Sequence, residues 1–79
     1  MPKVVMLAEL AAIAGWREQS CDADSLVDLR AKLAKENPTL GEKLSASRVM
    51  VIVNDVLVHG DQALATEDEV AFITPVSGG

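Results

Sequence analysis

The spacing of apolar and polar positions divides the chain into short elements. Val4 to Ala8 is an apolar run rich in β-branched side chains and predicts a first strand. Glu9 to Ala14 is built from strong helix formers, with Gly15 just past it, and predicts one to two turns of helix. Trp16 to Cys21 alternates loosely, as a second strand antiparallel to the first would. Ser25 then opens the main helix. Its hydroxyl can cap the first turn, and Leu26, Leu29 and Leu33 follow at helical spacing, with Val27, Arg30 and Ala34 beside them. Asp24 and Asp28 stand near the positive end of that helix dipole, Lys32 and Lys35 near its negative end. Pro38 ends the helix at Glu36 or Asn37.

Thr39 to Ser47 reads as turn and loop, with at most a short helical turn around Leu40. Arg48 to Val53 is a strand by its Val-Met-Val-Ile-Val content, and Asn54-Asp55 a turn pair leading into a brief partner strand, Val56 to Val58. His59 to Asp61 turns again, Gln62 to Thr66 is a loop, and Glu67-Asp68-Glu69 is a solvated acidic turn into a last strand, Val70 to Ile73. The predicted order is β-α-β-α-β-β-β.

Successive strand residues point to opposite faces, and the runs at Val4 to Leu7 and Val49 to Val53 are apolar on both. One helix stripe covers one face of a four- or five-stranded sheet. The other face would carry some of Val5, Leu7, Met50, Ile52, Leu57 and Ile73. An uncovered apolar face marks a docking surface, unless loops bury it.

Composition narrows what such a fold can do. Seventy-nine residues make one small domain with a single core and no room for an enzyme cleft. A net charge of −5, with the seven Lys and Arg dispersed along the chain, argues against nucleic acid as a partner. It suits a partner with a basic cleft. Cys21 is the only cysteine, which excludes an intrachain disulfide and a four-cysteine cluster, and His59 the only histidine, which excludes a His-pair metal site. No metal and no bound cofactor are expected. Ser20, Ser45, Ser47 and Ser77 lack a nucleophile-elbow setting, and Glu67-Asp68-Glu69 lacks the spacing of a calcium loop. No apolar run reaches membrane-spanning length, and Glu9 interrupts what would otherwise resemble a signal peptide. A cytoplasmic protein without membrane contact is the expectation.

One chemical group remains. Residues 1–74 read as the domain and 75–79 as a tail, Pro75-Val76-Ser77-Gly78-Gly79. Pro75 ends the strand ladder, and six residues from Thr74 reach about 20 Å. Two glycines carry no Cβ and could thread a narrow channel; the alternative is a frayed terminus. The Gly79 carboxylate is ionised and unreactive at neutral pH. An ATP-using partner could turn it into a mixed anhydride with AMP, from which a sulfur donor would make a thiocarboxylate or an amine an amide.

Val53-Asn54 with Leu57, and Asp68-Glu69-Val70-Ala71-Phe72 followed by Pro75 to Gly79, resemble the small subunit of molybdopterin synthase. Lys3-Val4, Ala8, Gly15 and the Ser25 to Leu33 helix fit the same family in place and length. Two positions depart from it. The family usually has Phe-Phe-Pro-Pro where this chain has Phe72-Ile73-Thr74-Pro75, and Gly where it has Glu67.

The resemblance implies an α+β, ubiquitin-like β-grasp fold, a mixed sheet of four to five strands packed on one main helix. It also implies a sulfur carrier without an active site of its own. Gly79 would be adenylated by a ubiquitin-activating-type adenylyltransferase and thiocarboxylated from a sulfur donor protein. Pro75, Val76, Ser77 and Gly78 would then thread it into the large subunit, where it gives sulfur to cyclic pyranopterin monophosphate. Leu7, Leu57, Ile73 and Val76 would dock partners, and the family assembly is a heterotetramer of two carriers and two large subunits. Other readings are a thiazole-synthesis sulfur carrier, a ubiquitin-like protein modifier, or a non-covalent interaction domain.

Overall fold

The structure, a computed structural model, describes residues 1–45 and 48–74. Five strands form one sheet: β1 (Lys3–Met6), β2 (Glu18–Ser20), β3 (Met50–Val53), β4 (Val56–Val58) and β5 (Glu69–Ile73), in the order β2-β1-β5-β3-β4. β1 and β5 run parallel at the centre, and the other pairings are antiparallel. The hairpin between β3 and β4 turns on Asn54 and Asp55, whose φ angles of 50° and 68° suit a two-residue turn matching the strand twist.

Three helices cover one face: α1 (Glu9–Ala14), α2 (Leu26–Glu36) and α3 (Pro38–Leu44). Gly15 closes α1 in the left-handed conformation at φ 85°, its N–H donating to Ala11 O. Ser25 caps α2 as expected, its Oγ accepting from Asp28 N at 3.1 Å. Leu26, Leu29 and Leu33 of α2 are buried with Leu10, Leu40 and Leu44 against Val4, Met6, Val51, Val53, Val70 and Phe72. Each such buried leucine contributes about 2 kcal/mol of apolar transfer. Val27, which the helical pattern set beside the stripe, is exposed.

The stretch expected to be a loop holds α3, so the order is β-α-β-α-α-β-β-β and the sheet packs on more than one helix. Pro38 does end α2, but it also starts α3: its missing N–H and fixed φ suit a first helical position. Asn37 serves both helices. Its N–H donates to Leu33 O at 2.9 Å, and its Oδ1 accepts from Leu40 N at 3.1 Å. Gly41 then lets α3 lie against α2, because a Cβ there would come within 2.5 Å of the Ala34 Cβ. β1, β2 and β3 run shorter than expected, β4 keeps its expected bounds and β5 begins one residue earlier, at Glu69; Cys21 lies one residue past β2, where it is buried. Ser47 lies outside the described residues.

Candidate docking face and carrier end

The ladder register assigns every strand residue to a face. Val4, Met6, Val51, Val53, Val70 and Phe72 point to the helices and are buried. Their neighbours point the other way, where none of the three helices lies. Across that open face Val5 pairs with Ala71, Ala71 with Ile52, and Ile52 with Leu57, giving one apolar row over four strands. Ala71 is its smallest member, so the row dips between Val5 and Ile52. Met50 pairs with Ile73 in the next row. Leu57 is 46% exposed and Met50 38% exposed, while Val5, Ile52 and Ile73 are half-buried.

Leu57 and Ile73, predicted to dock partners, therefore share this face. Leu7 lies one residue past β1, half-buried, with its N–H bonded to Phe72 O at 3.0 Å. That extra rung continues the parallel ladder and sets Leu7 beside Ile73. Ala71 was not singled out from the sequence, since a small residue carries little hydropathy signal. Pro75, Val76, Ser77, Gly78 and Gly79 lie outside the described residues.

The end of the sheet where β5 begins is acidic and tied together. Lys3 reaches Glu18 at 3.2 Å and Glu69 at 3.6 Å. The hydrogen bond and charge of Glu18, then the charge of Glu69, raise its pKa. The acidic turn is not merely solvated. Asp68 is half-buried and accepts from Ala65 N at 2.8 Å and from Asn54 Nδ2 at 2.9 Å. Those two bonds hold its pKa below the ordinary carboxylate value. The Asn54 Oδ1 in turn accepts from Glu69 N at 3.0 Å. The Asn and the Asp-Glu of the family-like motifs thus form one lock between the β3–β4 turn and the start of β5.

The opposite end, where β5 finishes, gathers arginines that lie far apart in sequence. The carbonyl of Arg17 accepts from Met6 N at 2.8 Å, placing it beside the last residue of β1. Arg48 stands two residues before Met50, which pairs with Ile73 near the end of β5. Arg30, on α2, sets its guanidinium 5.6 Å from the centre of the Phe72 ring and donates to Leu44 O at 2.6 Å.

Burial pushes the Cys21 thiol pKa up, which disfavours the thiolate. His59 is exposed just after β4. Among the described residues no three His, Cys, Asp or Glu side chains gather as a metal site would require, and no helix is long and apolar enough to cross a membrane.

Comparison with known proteins extends through the segment that the structure does not describe. A family model described as ThiS family matches residues 4–79. The molybdopterin synthase sulfur carrier subunit of Escherichia coli is 32% identical over 81 aligned positions that span the whole of both chains. A crystal structure of SAMP1 from Haloferax volcanii superposes with a TM-score of 0.82 at 28% identity, covering 99% of this chain and 98% of that one. Another, of the H. volcanii small archaeal modifier protein 1, gives 0.78 at 25% identity over 95% and 97% of the two chains. The five-stranded mixed sheet and its helices are the β-grasp arrangement of these neighbours.

Proposed function

The chain belongs to the ThiS family, and we propose on that basis that it is the sulfur carrier subunit of a molybdopterin synthase. The observation that carries this reading is the extent of the match, which runs through residue 79 and so takes in the tail. In a chain ending at Gly79, the terminal carboxylate attacks the α-phosphorus of ATP in a ubiquitin-activating-type adenylyltransferase and releases pyrophosphate. A sulfide-equivalent donor then attacks the acyl carbon, expels AMP and leaves a thiocarboxylate. Pro75, Val76, Ser77 and Gly78 carry that group into the large subunit, where the sulfur passes to cyclic pyranopterin monophosphate. Placement of the tail in a closed site supplies the proximity that the chemistry needs. The chain itself contributes delivery and docking, with no bound cofactor, in the cytoplasm where the ATP-using partner works.

Docking falls to the open face, through Leu57, Ile73 and Leu7 beside it. A contiguous apolar surface of this kind in a small domain is what a partner would bury. The likeness to a small archaeal modifier protein supports a second reading, in which the activated Gly79 carboxyl is captured by lysine amines.

The test is the intact mass of the chain after incubation with ATP, its host's activating enzyme and a sulfur donor. A gain equal to one oxygen replaced by sulfur, absent from a chain lacking Gly79, is expected. Lysine conjugates without that gain would favour the modifier. Neither product, with the enzyme active on another carrier, would refute both readings.

A further inference from the structure

The sequence contains three arginines, Arg17, Arg30 and Arg48, and all three come to the end of the sheet where β5 finishes. Asp55, Glu67, Asp68 and Glu69 surround the other end, where the β3–β4 turn meets the start of β5. Glu18 directly follows Arg17, but its carboxylate is paired with Lys3 at 3.2 Å. An overall charge of −5 hides this separation.

Two lengths decide what the separation can do. Five β5 residues, Glu69 to Ile73, span about 13 Å at about 3.3 Å per step. The screening length at physiological salt is about 8 Å. A partner approaching one end therefore feels mainly the charges of that end. The second length is the tail. Extended from Thr74, Gly79 reaches at most about 18 Å away, so the arginines would stand well clear of the adenylation chemistry when the tail is threaded. They would face the entrance of the partner's site.

We infer that Arg17 and Arg48, with Arg30 behind them, form a basic collar at the end of the sheet where β5 finishes. The collar pairs with a carboxylate-lined rim at the tail entrance of the ATP-using activating enzyme. This rests on the carrier reading above. Arg17 and Arg48 are exposed and make no ion pair among the described residues, so their forks are available for bidentate carboxylate contacts. Arg30 is half-buried, and its contacts with Leu44 O and Phe72 fix it as a support. The collar also turns the tail toward the enzyme, since the acidic end of the domain would be repelled by the same rim.

The experiment measures ATP-dependent pyrophosphate release by the host's activating enzyme with the full chain as substrate, at about 0.05 M and about 0.5 M salt. Charge reversal in Arg17→Glu/Arg48→Glu should raise KM about tenfold or more at low salt and leave kcat unchanged. At high salt that gap should close. Asp55→Lys/Glu67→Lys, reversing two exposed acids at the far end, should leave KM within about twofold at both salts. A thermal melt of each variant separates lost docking from lost folding. Wild-type chain that is turned over, with KM unmoved in folded Arg17→Glu/Arg48→Glu or moved equally by the far-end reversal, overturns the collar alone. Wild-type chain that is never turned over, by an enzyme active on another carrier, overturns the carrier reading and the collar with it.

Discussion

Replacing Asn37 by Ala should cost this domain about 2 kcal/mol, through two losses that a second variant can separate. The Asn37 Oδ1 caps α3 by accepting from Leu40 N at 3.1 Å. Removing an N-cap acceptor costs about 1 kcal/mol. The Nδ2 donates to Ile13 O at 3.1 Å, and that carbonyl lies in the last turn of α1, where no intrahelical partner remains. Losing this bond adds about 1 kcal/mol. For a domain of this size each kcal/mol moves the melting temperature by about 4–8 °C, so Asn37→Ala should melt about 8–16 °C lower. Asn37→Ser keeps a capping oxygen but is too short to serve α1 as well, so it should lose about half as much. Far-UV circular dichroism melts, checked by urea titration with unchanged slope, would measure both. Asn37→Ser falling as far as Asn37→Ala would refute the capping share. A loss under about 0.5 kcal/mol in Asn37→Ala would refute the whole account.

Gly41→Ala should destabilise by about 1–3 kcal/mol in urea titration, even though Ala is the better helix former. The new Cβ would lie 2.5 Å from the Ala34 Cβ and 2.8 Å from its Cα, so adding Ala34→Gly should restore only part of the loss. Asp68 has its folded pKa lowered from an ordinary 3.8 by the bonds from Ala65 N and Asn54 Nδ2. Its contribution is therefore complete above that ordinary value and is lost as pH falls through the lower folded one. Between about pH 6 and about pH 2 the wild type should lose more stability than Asp68→Asn, and parallel curves in denaturant melts would refute this.

The strands and the main helix were legible because each repeats its signal. The apolar β-branched runs at Val4 to Met6 and Met50 to Val53 and the Leu26, Leu29, Leu33 stripe all survive in the structure. The two-sided apolar strands also announced the open face. α3 was not legible, because its cues cancel locally. Pro38 reads equally as a stop and as a first helical residue, Gly41 lowers helix propensity at its centre, and only Leu40 and Leu44 mark its buried side. Arg17, Arg30 and Arg48 could not be grouped at all, since sheet order alone brings them to one end. Asp68 was masked by its neighbours: three consecutive acids read as solvent-facing, and the Ala65 N–H together with Asn54, fourteen residues earlier, makes the middle one structural. The tail motif was the most specific signal in the chain, and it falls on residues 75–79, outside the described ones.

The features that escaped the sequence share a physical role. A domain of this length buries only about 60% of its unfolded surface, and this one leaves a whole sheet face uncovered as well. Val5, Ile52, Leu57 and Ile73 thus give the free domain less stabilisation than their size allows, because each keeps part of its surface in water. The covered side must supply the difference. α3 adds Leu40 and Leu44 to the core, Gly41 lets α3 close on α2, and Asn37 satisfies the ends of two helices with one side chain. At the sheet's acidic end the Asn54–Asp68 bond fixes the hairpin turn to the strand that leads into the tail. Tightening of this kind needs no residue on the open face. That face is therefore free to vary independently of what folds the chain.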